Sequence, residues 1–269
     1  MQTSGDILIC KVCGSHHTVK DGMVKNVQRW KCKTCGRKFL DNGAMFGLKT
    51  PAIQVMSGLS LYYKGVSFGA IRKNLQKDFH NCPSASTIYR WTHRAPRNIM
   101  NAVKYYHPDV SDTWIVDENA LTISGKQVLI QDVIDKDSSF LLASQISLKH
   151  NNKDIELLME DAIKKAAKFP RAVISPVLAE SLRKLNLPTH ASFGYRKNAF
   201  TIQEQSSPEY ERIHAMFLER AGVMAVLKSV ERAVEFTNGW LVQHNYFDPQ
   251  EYMDGQTPAE AVGYHLKYR

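Results

Sequence analysis

The sequence predicts an α/β protein: a mixed sheet with flanking helices, preceded by a small cysteine-organised module and an all-α unit. Three observations predict it. Four of the five cysteines fall in two close pairs within the first 35 residues. Apolar residues then recur at three- and four-residue steps between Pro51 and Pro96. From Asp112 onward, β-type segments joined by tight turns give way to amphipathic helical stretches.

At 269 residues, 43% of them apolar and 10% aromatic, the chain has material for two or three modules with real cores, which excludes a wholly disordered protein. No run approaches the roughly 18 consecutive apolar residues of a membrane helix, and Met1 to Cys10 lacks a basic segment followed by an apolar one. The expectation is a chain that is neither secreted nor membrane-spanning, working in the cytoplasm and, in a prokaryote, on the nucleoid. Charge is uneven. Residues 1–100 hold 16 Lys and Arg against 4 Asp and Glu, a net +12, whereas residues 101–269 hold 19 against 22, a net −3. A basic first third joined to a mildly acidic remainder suits a nucleic-acid-contacting module attached to a domain with another task, because each neutralised phosphate releases counterions.

The cysteines lie as Cys10-x2-Cys13 and Cys32-x2-Cys35 with 18 residues between the pairs. Two such knuckles can set four thiolates tetrahedrally around one zinc ion. Gly14 and Gly36 follow the second cysteine of each knuckle, where positive φ is useful. Thr18 to Trp30 alternates enough to predict a hairpin turning near Asp21-Gly22. Disulfides are the competing reading, disfavoured without an export signal. His16 and His17 are expected at the surface, and Cys82 as a buried or partly buried thiol. A module of about 40 residues cannot fold on its own apolar surface, so the Zn2+ is expected to be structural. Gly43 to Thr50 reads as a linker.

Ile53, Met56, Leu59 and Tyr62 mark a first helix that stops at Gly65. Ser67 caps a second, with Phe68, Ile71 and Leu75. A third follows Pro83 to Ser86, carries Ile88 and Trp91, and is expected to stop before Pro96. Trp91 is expected in the core. Three short helices with a basic last one describe a helix-turn-helix unit whose final helix enters the major groove of double-stranded DNA, with Arg90, Arg94 and Arg97 as contacts. A merely solvated helix face is the alternative for each arginine.

Beyond Asp112, Trp114 to Glu118 runs into Leu121 to Ile123, and Val128 to Ile130 and Phe140 to Ala143 complete an antiparallel meander. A helix over Lys153 to Lys168, a strand over Arg171 to Ser175 and a helical segment to Leu185 follow. Three strands, a helix, a strand and a helix is the order of an RNase H-like fold. Asp135 and Asp137 read as turn residues. Val226 to His244 carries a helical apolar stripe, Asn245 to Asp248 reads as a turn, and Thr257 and Pro258 as the cap and first position of a last helix.

Several segments together, in order along nearly the whole chain, resemble the insertion-sequence transposases of the DDE type. They are Cys10-Lys11-Val12-Cys13-Gly14-Ser15, Lys31 to Phe39, Leu61 to Ser67, Ser86 to Trp91, Trp114-Ile115-Val116-Asp117-Glu118 and Gln256 to Glu260. The resemblance implies a zinc ribbon over 1–45, a helix-turn-helix DNA-binding domain over 46–108 and an integrase-like, RNase H-like DDE domain with C-terminal helices over 109–269. It implies double-stranded DNA as partner, through terminal inverted repeats or a site derived from them, and a homodimer or larger assembly, since cutting two ends takes two active sites.

The chemistry of such a family uses three carboxylates on two Mg2+ ions, one activating the attacking oxygen and the other stabilising the leaving one. The resemblance places Asp117 as the first acid and Glu211 as the last, with Arg212 and His214 beside the DNA strand. At the middle position, after the fourth strand, the sequence has Pro176, which offers no ligand and suits the first turn of a helix. The expectation is a transposase relative that holds DNA but is impaired in cleavage and strand transfer. Two further readings stay open: an active transposase whose middle acid comes from elsewhere, and a zinc-ribbon, helix-turn-helix regulator whose remaining domain has an unrelated fold.

Overall fold

The computed structural model describes residues 8–185 and 200–265, which fall into two compact units, one ending at Tyr106 and the other running from His107 to His265. In the first, β1 (Thr18–Val24), β2 (Val27–Cys32) and β3 (Lys38–Leu40) form an antiparallel sheet in that order. The hairpin turns at Lys25-Asn26, both at positive φ, and not at Asp21-Gly22. Two-residue loops of that kind match the strand twist. Asp21-Gly22 lies at a register shift between Lys20 and Met23 instead, and the Asp21 carboxylate pairs with Arg29 at 2.9 Å and Lys38 at 3.0 Å. An Asp-Gly pair serves a bulge as well as a turn, because both need a glycine free of Cβ.

The expected linker is packed. Ala44 and Met45 are buried and Ala44 bridges to Pro51. The Lys11 ammonium donates to the carbonyls of Leu40 at 2.7 Å and Ala44 at 2.8 Å.

Helices α1 (Ala52–Tyr63), α2 (Phe68–Phe79) and α3 (Ala85–Ala102) follow. Ser67 and Ser84 cap α2 and α3 by accepting from the N–H groups of Ala70 and Thr87, each cap contributing about 1 kcal/mol. Leu59, Ile71, Leu75, Ile88 and Trp91, contributed by all three helices, are buried. Gly58 lies under the Trp91 ring, where a Cβ would come within 3.2 Å. Contrary to expectation, α3 does not stop before Pro96 but runs through it to Ala102. A proline inside a helix costs about 3 kcal/mol, and burial of Ile99 and Val103 beyond it, at roughly 1.5–3 kcal/mol each, offsets that. Cys82 is exposed rather than buried, because it precedes α3 in the connection from α2.

The second unit holds a five-stranded sheet of order β6-β5-β4-β7-β8. Strands β4 (Thr113–Ile123), β5 (Lys126–Asp135) and β6 (Leu141–Ser147) are antiparallel, while β7 (Ala172–Ile174) runs parallel to β4 and β8 (Thr201–Gln203) parallel to β7. This is the RNase H-like arrangement. Helix α4 (Asn152–Ala166) and α5 (Ala179–Arg183) follow β6 and β7, and α6 (Pro208–Met224), α7 (Val230–Phe247) and α8 (Pro258–Ala261) complete the unit.

Some expectations in this unit shift. Val226 is exposed, ahead of α7, and Asn245 to Phe247 form the buried last turn of α7 rather than a separate turn. There the Asn245 amide accepts from the N–H of Leu141 at 2.8 Å and donates to its carbonyl at 2.9 Å, which ties α7 to β6. Of the two expected turn residues, Asp137 lies in the turn after β5, whereas Asp135 is the last residue of the strand itself, its buried carboxylate accepting from Ser111 and from Ser138. Thr257 and Glu260 form a reciprocal capping box on α8.

Candidate functional site

The two knuckles are built alike. The N–H of Gly14 donates to Cys10 O and that of Gly36 to Cys32 O, each at 3.0 Å, and both glycines take φ near +70°. They bring Cys10, Cys13, Cys32 and Cys35 together so that their sulfurs lie within 4.8 Å of one another. The Cys10–Cys35 and Cys13–Cys32 Sγ separations are 3.7 Å. A zinc tetrahedron with bonds of about 2.3 Å has edges of about 3.8 Å, so the four thiols fit that ion, and none is disulfide-bonded. Burial pushes the Cys10 and Cys13 thiols up. At Cys32 burial acts in the same sense, but the backbone N–H groups of Cys35 and Thr34 and the neighbouring thiols outweigh it and bring the group down to about 6. A divalent cation would resolve this uneven sharing of protons by replacing them. His16 and His17 are exposed and outside the cluster.

Asp117 lies in the middle of β4 with no exposed surface. Its Oδ1 accepts from the Tyr210 hydroxyl at 2.6 Å, and its Oδ2 from the Asn119 amide at 2.8 Å and lies 2.8 Å from His214 Nδ1. Asn119 shares the strand face of Asp117 by the two-residue repeat. Tyr210 and His214 are four residues apart on α6 and stack ring on ring at 5.6 Å, so one helix face delivers both. Burial, and then the bond to Asp117, hold the Tyr210 phenol far above its ordinary range.

Glu211 points elsewhere. It is exposed and accepts from the Ser206 hydroxyl. Pro176 is exposed in the turn between β7 and α5, three residues before the helix and not in its first turn as expected. The turn is closed by Ser175, whose side chain accepts from Leu178 N–H at 3.1 Å.

Among the described residues, the four cysteines are the one group of three or more His, Cys, Asp or Glu with ligand atoms inside 4.8 Å; Asp117, His214 and Glu211 do not form such a group. Three of the roughly four acceptor positions of the Asp117 carboxylate are taken. As placed, these residues do not fit a pair of magnesium ions.

Directly across the strand pair from Asp117 stands Asp132, equally buried and paired with Arg220 of α6, whose Nη1 reaches Oδ1 at 3.0 Å. The guanidinium lies 4.7 Å from the ring centres of both Phe217 and Trp240. On the opposite sheet face Glu118 accepts from Gln131 at 2.7 Å and meets His150, whose other ring nitrogen lies 3.0 Å from Ser181. Two acids that are neighbours in sequence thus face different helices. The partners of Asp117 left one signal in the sequence, the four-residue spacing of Tyr210 and His214.

In the first unit Arg90, Arg94 and Arg97 are all exposed on α3, and steps of four and three residues place them along one face. Arg212 is stacked on Tyr252, its guanidinium carbon 3.5 Å from the ring centre. No helix among the described residues is long and apolar enough to cross a membrane.

No family model matches the sequence, and no curated protein matches it. Solved structures that resemble the chain include the HTLV-2 integrase catalytic core domain in complex with magnesium. Its dimeric form gives 11% identity over 59% of this chain and 97% of that one, with a TM-score of 0.40, and its trimeric form 12% over 58% and 98%, with 0.41. A simian T-cell lymphotropic virus intasome in complex with the PP2A regulatory subunit B56 gamma gives 9% identity over 78% and 73%, with 0.44. Likeness at this level transfers no residue role to this chain; its fold is read from its own strand order.

Proposed function

We propose that the protein is a DNA-binding relative of DDE transposases, impaired in DNA cleavage and strand transfer. The observation that carries this reading is the enclosure of Asp117, with hydrogen-bonding side chains on both carboxylate oxygens and no group of three metal-ligating side chains around it among the described residues. In the proposed triad Asp117 and Glu211 are the outer acids, and Pro176 stands where the middle one would be. Loss of one essential member of a catalytic group removes several orders of magnitude in rate. The RNase H-like strand order disfavours a regulator whose second half has an unrelated fold.

DNA is held, in this reading, by residues 46–108 acting as a helix-turn-helix domain. Helix α3 enters the major groove, and Arg90, Arg94 and Arg97 neutralise phosphates or reach base edges while counterions leave. Residues 1–45 form the zinc ribbon, with Zn2+ on the four cysteines. Residues 109–269 form the transposase-like domain, where Arg212 and His214 lie nearest the strand. A homodimer on paired terminal inverted repeats suits a family that handles two DNA ends.

The test is a binding and cleavage assay on a duplex carrying the protein's own terminal repeats, with magnesium and with manganese. Salt-sensitive binding without strand cleavage is the expected result. Robust cleavage that Asp117→Ala abolishes would overturn the reading.

A further inference from the structure

The two knuckles share their internal hydrogen bonds and their glycine conformation, yet their surroundings differ. A Cβ on Gly36 would meet nothing within 4 Å. One on Gly14 would fall 2.2 Å from the carbonyl oxygen of Ala102, the last residue of α3. Backbone is thus packed on backbone, closer than any side chain allows. A second tie lies one turn earlier, where the Asn98 amide donates to the carbonyl of Phe46, and Phe46 packs against the buried cysteines. Gly14, Phe46, Asn98 and Ala102 all belong to the first compact unit.

This is also where α3 is weakest. Pro96 has no N–H to give to the Thr92 carbonyl, so the helix from Arg97 to Ala102 continues across a missing rung and depends on tertiary support. The ribbon's fully buried core is small, Cys10, Cys32 and Phe39, and without a cation the first knuckle would rely on hydrogen bonds at or near the surface, such as Ser15–Thr34 at 2.7 Å and those of Lys11 to the carbonyls of Leu40 and Ala44, to keep Cys10 and Cys13 beside the other pair.

We propose that the zinc-loaded first knuckle is a brace on the C-terminal turns of α3, with Gly14 and Asn98 as positioning residues, so that metal occupancy controls the helix face carrying Arg97. The link to DNA affinity rests on the function proposed above; the brace itself does not.

Gly36→Ala introduces the same left-handed strain as Gly14→Ala without the clash, so the pair separates strain from bracing. The experiment uses the full zinc-loaded chain and measures zinc stoichiometry, amide hydrogen exchange at residues 97–103 and duplex affinity. Gly14→Ala is expected to keep one zinc, to exchange about tenfold faster at those amides through local opening, and to bind duplex more weakly; Gly36→Ala is expected to match the parent at both. Chelation of the parent should reproduce the Gly14→Ala exchange pattern. Equal exchange in the two variants, or protection at 97–103 that survives chelation, would overturn the brace. Should Gly14→Ala lose its zinc, Asn98→Ala decides, since it leaves the knuckle untouched: faster exchange supports the brace and unchanged exchange rejects it. A parent protein that binds no duplex sinks the proposed function, while the exchange comparison still decides the brace.

Discussion

The Tyr210 hydroxyl donates to Asp117 Oδ1 across 2.6 Å, joining the first turn of α6 to the middle of β4. With His214 and Asn119 on the other oxygen, Asp117 acts as an anchor between helix and sheet. Asp117→Ala should therefore destabilise the protein by about 2–5 kcal/mol, since it strands buried donors. Urea unfolding checks this. An unchanged or raised midpoint would mean that the carboxylate is held under repulsion, as in a working metal site.

Pro176→Asp places a carboxylate in an exposed turn but does not release Asp117. Manganese titrated into this variant and followed by electron paramagnetic resonance should give the same free-ion signal as with the parent, once the zinc site is filled. Stoichiometric manganese uptake by Pro176→Asp would show that Asp117 opens readily.

Arg90→Ala and Arg94→Ala should each weaken duplex binding. If each arginine contacts one phosphate, each loss lowers the slope of log affinity against log salt by about 0.9. Binding followed by fluorescence anisotropy at several salt concentrations gives the slope, and an unaltered slope in both variants would remove α3 from the DNA.

Chelating the zinc should unfold the ribbon, a segment of about 40 residues too small to be held by its apolar core. The amide spectrum of residues 8–40 should collapse to random-coil shifts and recover on adding zinc. A spectrum unmoved by chelation would deny the metal its structural role.

His244 is fully buried, and burial lowers its affinity for a proton. Its Nε2 lies 2.8 Å from the Ser139 carbonyl, and Nδ1 has no partner among the described residues, so the neutral ring is the form that fits. The unfolded chain takes up a proton below about pH 6.5 that the folded one resists, so stability falls on acidification by up to about 1.4 kcal/mol per pH unit. Urea midpoints at pH 7 and pH 5 for the parent and for His244→Phe test this. The aromatic variant should lose part of that slope, and an identical slope would acquit the histidine.

Much of the first unit was legible because its determinants are local. Cysteine spacing sets the knuckles, and Ser67 caps the helix that follows it. Failures came where two local signals compete. Asp21-Gly22 fits a bulge as well as a turn, and Pro96 ends a helix only when nothing beyond it is buried. Strand β8 leaves no apolar run in the sequence, since Ile202 stands alone between Thr201 and Gln203, whereas the equally short β7 shows as Ala172-Val173-Ile174.

The sequence by itself determined the spacing that gathers the four cysteines, the caps of α2 and α8 and the alternation of β4, all of which follow from residue type and near spacing. The tertiary structure alone decided what becomes of Asp117. Its partners Tyr210 and His214 lie 93 and 97 residues away, and only the packing of α6 on β4 brings them to it. Whether a buried carboxylate is open to a metal or closed by hydrogen bonds depends on such distant donors, which no local pattern encodes.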